Sequence, residues 1–224
     1  MPSKKQMAIP IEKEQFISLS RVHFPVTALG PGRRVGIWFQ GCSIRCPGCI
    51  SADTWASHSS GMTVKNLLNS LEPWLSCSDG ITISGGEPFD QPNALIELLV
   101  GLRARHKGDI LVFTGYEKAK VSCLLERAIG LIDALITGPY QAESGQTKAL
   151  RGSDNQELDL LTELGRKRFK SVIGSAPIRT LDMMMGANGE IYFAGIPAPG
   201  DFNALKTALQ LDGTQFVTTE DRRS

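Results

Sequence analysis

The chain alternates short, continuous apolar runs with segments in which apolar residues recur every three or four positions. A short continuous run is typical of a strand buried on both faces, and the wider spacing is typical of a helix with one buried face. The pattern predicts strands over residues 35–40, 80–84, 109–114 and 131–137. It predicts helices over about 63–75, 90–102 and 117–128, with Thr63 as the cap of the first and Asp90 or Asn93 at the start of the second.

Strand and helix therefore alternate along the middle of the chain, which predicts an α/β fold with a parallel sheet and right-handed helical crossovers. Ligands of such sheets bind beyond the carboxyl ends of the strands. The unusual residues of this chain obey that rule, because each group directly follows a predicted strand. These groups are the cysteine-rich segment after Gln40, the glycines at 85–86, Thr114-Gly115 and Gly138. We expect them to meet on one rim of the sheet.

The two ends of the chain have a different pattern. Residues 16–24 partly alternate between apolar and polar positions, which is typical of an edge strand. Two apolar segments flank Asn188-Gly189, a dipeptide typical of a hairpin turn, and a helix is predicted over about 201–211. The predicted division is a flexible tail over 1–15, a core over 16–160 and a C-terminal extension over 161–224 that carries a small ββα appendage.

Composition narrows the class of protein. The 224 residues are 42% hydrophobic and 21% charged, as expected for a globular protein with a proper core. A net charge of +1 gives no reason to expect nucleic acid or an anionic membrane as a partner. No apolar run is long enough to cross a bilayer and no apolar signal core follows the basic N-terminus, so we expect a cytoplasmic protein.

Three of the five cysteines lie close together, as Cys42, Cys46 and Cys49 in a C-x3-C-x2-C spacing. Thiolates this close need a common partner, and an iron–sulfur cluster or a metal ion is the usual one. A cluster held by three cysteines leaves one iron open to a substrate or cofactor. The alternatives are a zinc site completed by His58 and a chance grouping of buried cysteines. The remaining two cysteines, at positions 77 and 123, are isolated and are predicted to pack in the core.

A second unusual segment follows the predicted strand over 80–84. Gly85 and Gly86 come directly after this strand and precede Glu87-Pro88. Adjacent glycines at a strand end let the backbone approach a ligand closely and offer it N–H and C=O groups. Such a turn alone is a weak signal, but it gains weight in a chain that also carries the cysteine loop.

The chain resembles the radical S-adenosylmethionine enzymes, and within them the branch that activates anaerobic ribonucleoside-triphosphate reductase. The resemblance runs from about Val22 to Gln156 and rests on motifs that occur in the order found in the family. These motifs are Gly30-Pro31-Gly32-Arg33-Arg34, the cysteine loop with Cys46-Pro47-Gly48-Cys49 and the later Trp55, Ser84 to Pro88, Thr114-Gly115-Tyr116 and Arg151 to Gln156.

This resemblance implies a partial (βα) barrel with its cofactors across the open rim. It implies that Cys42, Cys46 and Cys49 ligate a 4Fe-4S cluster whose fourth iron binds S-adenosylmethionine. The residues implied to hold S-adenosylmethionine are Ser84, Gly85, Gly86, Glu87, Thr114 and Gly138, with the glycine turn at the methionine amino group.

The resemblance also implies a reaction and partners. One electron from the reduced cluster would cleave S-adenosylmethionine to methionine and a 5′-deoxyadenosyl radical. That radical would take a hydrogen atom from a glycine of a partner enzyme such as anaerobic ribonucleotide reductase, with flavodoxin or ferredoxin as the electron donor. Two alternatives stay open: radical modification of a different peptide or small molecule, and a non-catalytic metal- or cluster-binding interaction module.

Overall fold

The computed structural model describes residues 14–57, 61–177, 179–186 and 190–211. The strands of this part are β1 (Phe16–Ile17), β2 (Leu19–Val26), β3 (Arg34–Phe39), β4 (Met62–Thr63), β5 (Gly80–Gly85), β6 (Asp109–Phe113), β7 (Ala134–Thr137), β8 (Glu157–Leu160), β9 (Leu181–Met185) and β10 (Ile191–Gly195). The α-helices are α1 (Val64–Leu75), α2 (Pro92–Arg105), α3 (Lys118–Arg127), α4 (Glu163–Arg168) and α5 (Asp201–Leu211).

A six-stranded sheet in the order β2-β3-β5-β6-β7-β8 forms the centre of the fold. The pairs β3–β5, β5–β6 and β6–β7 are parallel, and α1, α2 and α3 connect these strands in turn. This confirms the predicted α/β fold with a parallel sheet. The two edge strands, β2 and β8, pair antiparallel with their neighbours. The carboxyl ends of the four parallel strands consequently lie along one edge of the sheet.

The two faces of the sheet have different cores. On one face, branched aliphatic side chains of the strands pack against the leucines of α1 and α2. On the other face, Phe169 is fully buried against Leu111, Ala134 and Ile136. The helix α4, which precedes Phe169, therefore covers part of this second face.

A buried ion pair lies near the amino ends of the strands, opposite the rim that carries the unusual residues. Arg34 and Asp109 are both fully buried and are 2.6 Å apart between Nη2 and Oδ2. Arg34 also donates to Thr82 Oγ1 at 2.7 Å, and Arg168 donates to Asp109 Oδ1 at 2.9 Å. Because both charged groups are hydrogen-bonded, these interactions offset the free-energy cost of removing the two charges from water.

The C-terminal extension contains the hairpin and helix that the sequence predicted. Strands β9 and β10 pair antiparallel, with Ile191 opposite Met185 and Gly195 opposite Leu181. The turn dipeptide at 188–189 lies outside the described residues. No helix in the described segments has the length and apolar character needed to cross a membrane.

Several local predictions were wrong. Cys77 and Cys123 are exposed rather than packed in the core. Helix α2 starts neither at Asp90 nor at Asn93, because Pro92 occupies its first position and Gln91 precedes it as the N-cap. Proline is favoured at the first helical position, where its missing N–H group needs no partner.

Two strands were not predicted, the two-residue β4 and the edge strand β8. Residues 157–160 form the antiparallel edge strand β8, with Leu158 opposite Ile136 on β7. The sequence analysis gave this segment no strand, because its short alternation of polar and apolar residues is a weak pattern in isolation.

Candidate active site

A cavity of about 430 Å³ lies at the carboxyl ends of β3, β5 and β6. Its wall includes all but one of the residues that the sequence analysis assigned to cofactors: Cys42, Cys46, Cys49, Ser84, Gly85, Gly86, Glu87 and Thr114. The remaining residue, Gly138, is buried directly after β7 and is not part of this wall. Three segments that are distant in sequence therefore meet at one place, as expected at the rim of a parallel sheet.

Tight turns fold the cysteine loop back on itself. Gly41, Arg45 and Gly48 have φ angles of 98°, 52° and 74°, and the N–H of Cys49 donates to the carbonyl of Cys46 at 3.1 Å. Positive φ costs glycine little but is uncommon for a residue such as Arg45. The loop thereby places all three cysteines on the wall of the same cavity.

The glycine turn after β5 packs directly against the start of the cysteine loop. Gly86 N–H donates to the carbonyl of Phe39 at 2.8 Å, and Glu87 N–H donates to the carbonyl of Gly41 at 2.8 Å. A Cβ atom at Gly86 would lie closer than 3.0 Å to the Gly41 carbonyl oxygen, a distance that real Cβ atoms do not adopt. Glycine at this position is therefore what lets the two segments meet.

Glu87 fastens the end of β5 to the end of β6. Its side chain is almost fully buried, and it accepts hydrogen bonds from Phe89 N at 3.0 Å, Thr114 Oγ1 at 2.8 Å and Gly115 N at 2.8 Å. Burial raises the pKa of this carboxyl to about 7, although the three hydrogen bonds oppose the rise. Both oxygens of Glu87 thus face groups of the protein, and the carboxyl acts as a brace between two strand ends.

A second polar network holds the cysteine loop from its outer side. Ser43 donates to Asp90 through its N–H at 2.8 Å and its hydroxyl at 3.0 Å, and the Tyr116 hydroxyl donates to the same carboxylate at 2.6 Å. Burial, and then the hydrogen bond to Asp90, raise the pKa of Tyr116. The loop is therefore tied to the segment after β6, which carries the Thr-Gly-Tyr motif.

The electrostatics of the thiol groups fit a positively charged partner. Burial raises the pKa of Cys42 and of Cys49, and the neighbouring Cys46 raises that of Cys49 further. A hydrogen bond from the Ser51 backbone partly opposes the rise in the pKa of Cys49. Burial thus disfavours the thiolate forms of Cys42 and Cys49 in the protein alone, whereas iron ions would displace their protons on binding.

The donor set fits a cluster better than a single ion. Within the part of the chain that the structure describes, no group of three or more His, Cys, Asp or Glu residues could hold one metal ion. A 4Fe-4S cluster does not require such convergence, because each thiolate binds a different iron. His58, the ligand that the zinc alternative requires, lies outside the described residues.

The Arg-Gly-Ser-x-Asn-Gln segment forms a further part of the rim. Gln156 Nε2 donates to the carbonyl of Gly138 at 2.9 Å, and Gln156 Oε1 accepts from Gly152 N at 2.8 Å. Asn155 Nδ2 donates to the carbonyl of Pro139 at 2.8 Å. Gly152 and Gln156 also line the cavity, so this segment fixes the end of β7 beside the site.

The sequence analysis did not identify Arg21 or the residues of the C-terminal extension as part of the cavity wall. The guanidinium of Arg21 on β2 lies over the rings of Trp38 and Tyr192, with its carbon 5.4 Å and 5.0 Å from the ring centres. Arg21 is also paired with Asp53 at 2.5 Å. Residues 193–200 of the extension form another part of the wall. No local pattern marks these residues, because only long-range packing brings them to the cavity.

The comparison with known proteins agrees with this geometry. The profile of a family described as a 4Fe-4S single cluster domain matches residues 28–159, which is more than half of the chain. The matched region contains the cysteine loop, the glycine turn and the Arg-Gly-Ser-x-Asn-Gln segment. It ends before β9, β10 and α5.

The chain is also similar to activating proteins from a virus and from bacteria. It is 33% identical to the anaerobic ribonucleoside-triphosphate reductase-activating protein of Enterobacteria phage T4 over 58% of this chain and 85% of the relative. It is 31% identical to the protein of that name in Escherichia coli K12, over 60% of this chain and 93% of the relative. For Vibrio cholerae the corresponding values are 26%, 62% and 96%. The chain thus belongs to the 4Fe-4S single cluster domain family and is a radical S-adenosylmethionine enzyme related to the anaerobic ribonucleotide reductase activases.

Proposed function

We propose that this enzyme generates a glycyl radical on a partner protein of the anaerobic ribonucleotide reductase type. The observation that carries the proposal is the meeting of three cysteines and the Ser-Gly-Gly-Glu turn on the wall of one cavity. The names of the relatives support the choice of partner, since each is an activating protein of such a reductase.

Within this proposal, Cys42, Cys46 and Cys49 hold the 4Fe-4S cluster. When bound, the cluster supplies one electron that splits S-adenosylmethionine into methionine and a 5′-deoxyadenosyl radical. The electron comes from a one-electron donor such as flavodoxin or ferredoxin. The work of the protein is to position both cofactors and to keep water and other hydrogen donors out of the cavity.

The backbone around Gly85 and Gly86, together with Ser84, holds the methionine end of S-adenosylmethionine. Glu87 keeps that backbone in place through its bonds to the next strand end, which involve Thr114. Gly138 is not part of the cavity wall but accepts a hydrogen bond from Gln156, so its role in this proposal is to position the segment that carries Gln156.

The substrate step balances as one hydrogen atom transfer. The Cα–H bond of a partner glycine breaks, and the hydrogen atom forms the new C–H bond of 5′-deoxyadenosine. The unpaired electron stays on the glycine Cα. No general base takes part, which agrees with a cavity whose buried carboxyl, Glu87, is already occupied by three protein donors.

We also propose that residues 16–160 form the catalytic core and residues 161–224 an addition to the core. Residues 1–13, which make up most of the tail expected from the sequence, lie outside the described residues. The end of the family match at residue 159 supports the boundary. The addition begins with α4, which is followed directly by Phe169, a residue that packs on the core sheet. It also contains the β9–β10 hairpin and helix α5.

The test is an anaerobic reconstitution with iron, sulfide, a reductant and S-adenosylmethionine, in the presence of the purified anaerobic reductase from the same genome. We expect 5′-deoxyadenosine and a glycyl radical signal in electron paramagnetic resonance. Cys46→Ala should give neither, whereas Cys123→Ala, on an exposed cysteine, should give both. Cleavage of S-adenosylmethionine without a radical on the reductase would move the proposal to a different peptide or small-molecule substrate.

A further inference from the structure

The hairpin of the C-terminal extension is fixed to the core at several points. Asp182 on β9 accepts hydrogen bonds from Thr27 N and Ala28 N at 2.7 and 2.8 Å. Gln146 Nε2 donates to the carbonyl of Pro197 at 3.0 Å, and Arg179 donates to the carbonyl of Gln146 at 3.0 Å. These contacts tie the hairpin and its flanks to the segment between β2 and β3 and to the segment between β7 and β8, and so define the position of the hairpin on the core.

Apolar packing adds to this attachment. Met184 and Ala194 are buried in one cluster with Val26, Leu29 and Trp38 of the core. Met184 and Ala194 lie on neighbouring strands of the hairpin, so one face of the hairpin is buried on the core. The hairpin is therefore a built part of the cavity wall.

Strand β10 lies between the cavity and β9. Phe193, Ala194 and Gly195 of β10 line the cavity, whereas no residue of β9 does. Successive side chains of a strand point to opposite faces of the sheet. Three consecutive residues of β10 line the cavity, so it is an edge of the strand, and not one of its faces, that they have in common. The edge of β10 that faces away from β9 is thus the one that meets the cavity.

This edge presents unpaired backbone groups. Gly186 N–H donates to the carbonyl of Glu190, which fixes the alternation of hydrogen-bonded pairs along the hairpin. By that alternation Tyr192 and Ala194 bond to β9, and the N–H and C=O groups of Phe193 and Gly195 point away from it. Within the described residues, no turn, loop or side-chain hydrogen bond uses the backbone of Phe193 or Gly195.

We propose that this edge of β10 pairs with an extended backbone segment of the protein substrate and so guides its reacting residue into the cavity. The proposal rests on the proposed function, since it requires a polypeptide substrate. Alternating N–H and C=O groups are complementary to an extended main chain, and strand addition to a free edge is a recurring mode of peptide recognition. Exposed edges are commonly blocked by lysine or proline, and β10 contains neither.

The neighbouring side chains give the incoming segment an apolar wall. Phe193 packs edge-on against Phe202 of α5, with ring centres 5.5 Å apart. Both rings line the cavity together with Ile196 and Pro197. A segment paired with β10 would direct every second side chain towards these apolar residues. Small or apolar side chains are therefore favoured at those positions of the segment.

A proline scan of the hairpin tests the pairing in the full-length holoenzyme. Phe193→Pro removes an N–H group from the edge at the cavity, and Phe193→Leu controls for the lost ring. Met183→Pro removes the N–H group of the residue directly opposite, on the outer edge of β9. The KM for the reductase should rise about tenfold in Phe193→Pro relative to Phe193→Leu, and should stay within about twofold in Met183→Pro.

Amide hydrogen exchange of the wild-type complex gives a second measurement that does not depend on a variant folding. The amides of Phe193 and Gly195 should exchange at least about tenfold more slowly when the reductase is bound, and that of Met183 should not change. If the reductase acquires its radical while both amides still exchange freely and both Phe193 variants behave alike, the strand pairing is wrong and the proposed function stands. If wild-type enzyme places no radical on the reductase, the proposed function fails and this inference fails with it.

Discussion

Replacing Glu87 by Gln should change how the stability of the protein depends on pH. Glu87 is almost fully buried between the ends of β5 and β6, and burial raises its pKa from 4.5 to about 7. The folded protein therefore holds this proton more tightly than the unfolded chain does. Ionisation of Glu87 consequently costs stability, even though three donors face its oxygens.

The direction and size of the effect follow from this pKa. The free energy of unfolding should fall as the pH rises from about 4.5 to about 7 and should level off above that. At about 1.4 kcal/mol for each pKa unit, the loss that Glu87 causes is about 3 kcal/mol. Glu87→Gln lacks this ionisation, so the stability of the wild type relative to the variant should decline by about that amount across the range.

The assay is urea unfolding of both proteins, freed of iron and kept anaerobic, at several pH values between 5 and 8. Glu126→Gln, on the exposed surface of α3, controls for the exchange of a carboxylate for an amide. The carboxyl ¹³C shift of Glu87 gives its pKa directly. A difference between wild type and Glu87→Gln that stays constant with pH, or that grows as the pH rises, would refute the reasoning.

Two further substitutions test the packing below and around the site. Asp109→Asn should lower the free energy of unfolding by about 3 kcal/mol or more, because it leaves the fully buried Arg34 without its charge partner; Asp159→Asn, in a partly exposed pair, should cost no more than about 1 kcal/mol by the same urea assay. Gly86→Ala should abolish the normal iron content after reconstitution, because the added methyl group cannot fit against the start of the cysteine loop. Gly130→Ala, where no atom lies within 4 Å and the only strain comes from the φ angle of 75°, should retain its iron, and equal iron content in both variants would contradict the close-approach argument.

Local periodicity was sufficient to predict the parallel strands and the helices between them. The apolar runs over 35–40 and 80–84 became β3 and β5 within a residue or two, and Thr63 caps α1 by accepting from Asn66 N at 3.2 Å. These features are determined by residues close to one another in the chain, so the local sequence is enough to predict them. The edge strand β8 depends on pairing with β7 and was therefore missed.

The isolated cysteines show a different limit. Cys123 was predicted to be buried, yet it lies two positions after Val121, the buried residue of α3. Two positions along a helix correspond to opposite faces, so helical spacing itself argues for exposure. Cys77 follows the end of α1, where the chain has already left the core.

For the site, the sequence predicted which residues lie at the rim of the sheet, but it did not predict which residues of β2 and of the C-terminal extension complete the cavity wall. The rule that ligands bind at the carboxyl ends of parallel strands was sufficient to predict that the cysteine loop and the glycine turn lie close together. Nothing in the sequence indicated that Arg21 would lie between Trp38 and Tyr192, or that Phe193 would reach the cavity. Those positions follow from how the hairpin packs on the core, which periodicity does not encode.

The most direct test of the account follows the hydrogen atom itself. The reductase is prepared with glycine deuterated at Cα and incubated with the reduced, reconstituted enzyme and unlabelled S-adenosylmethionine, beside a Cys46→Ala control. The account predicts one deuterium atom in the 5′-deoxyadenosine formed by the wild type and no product from the variant. Wild-type 5′-deoxyadenosine without deuterium, formed while the reductase gains no radical, would contradict it.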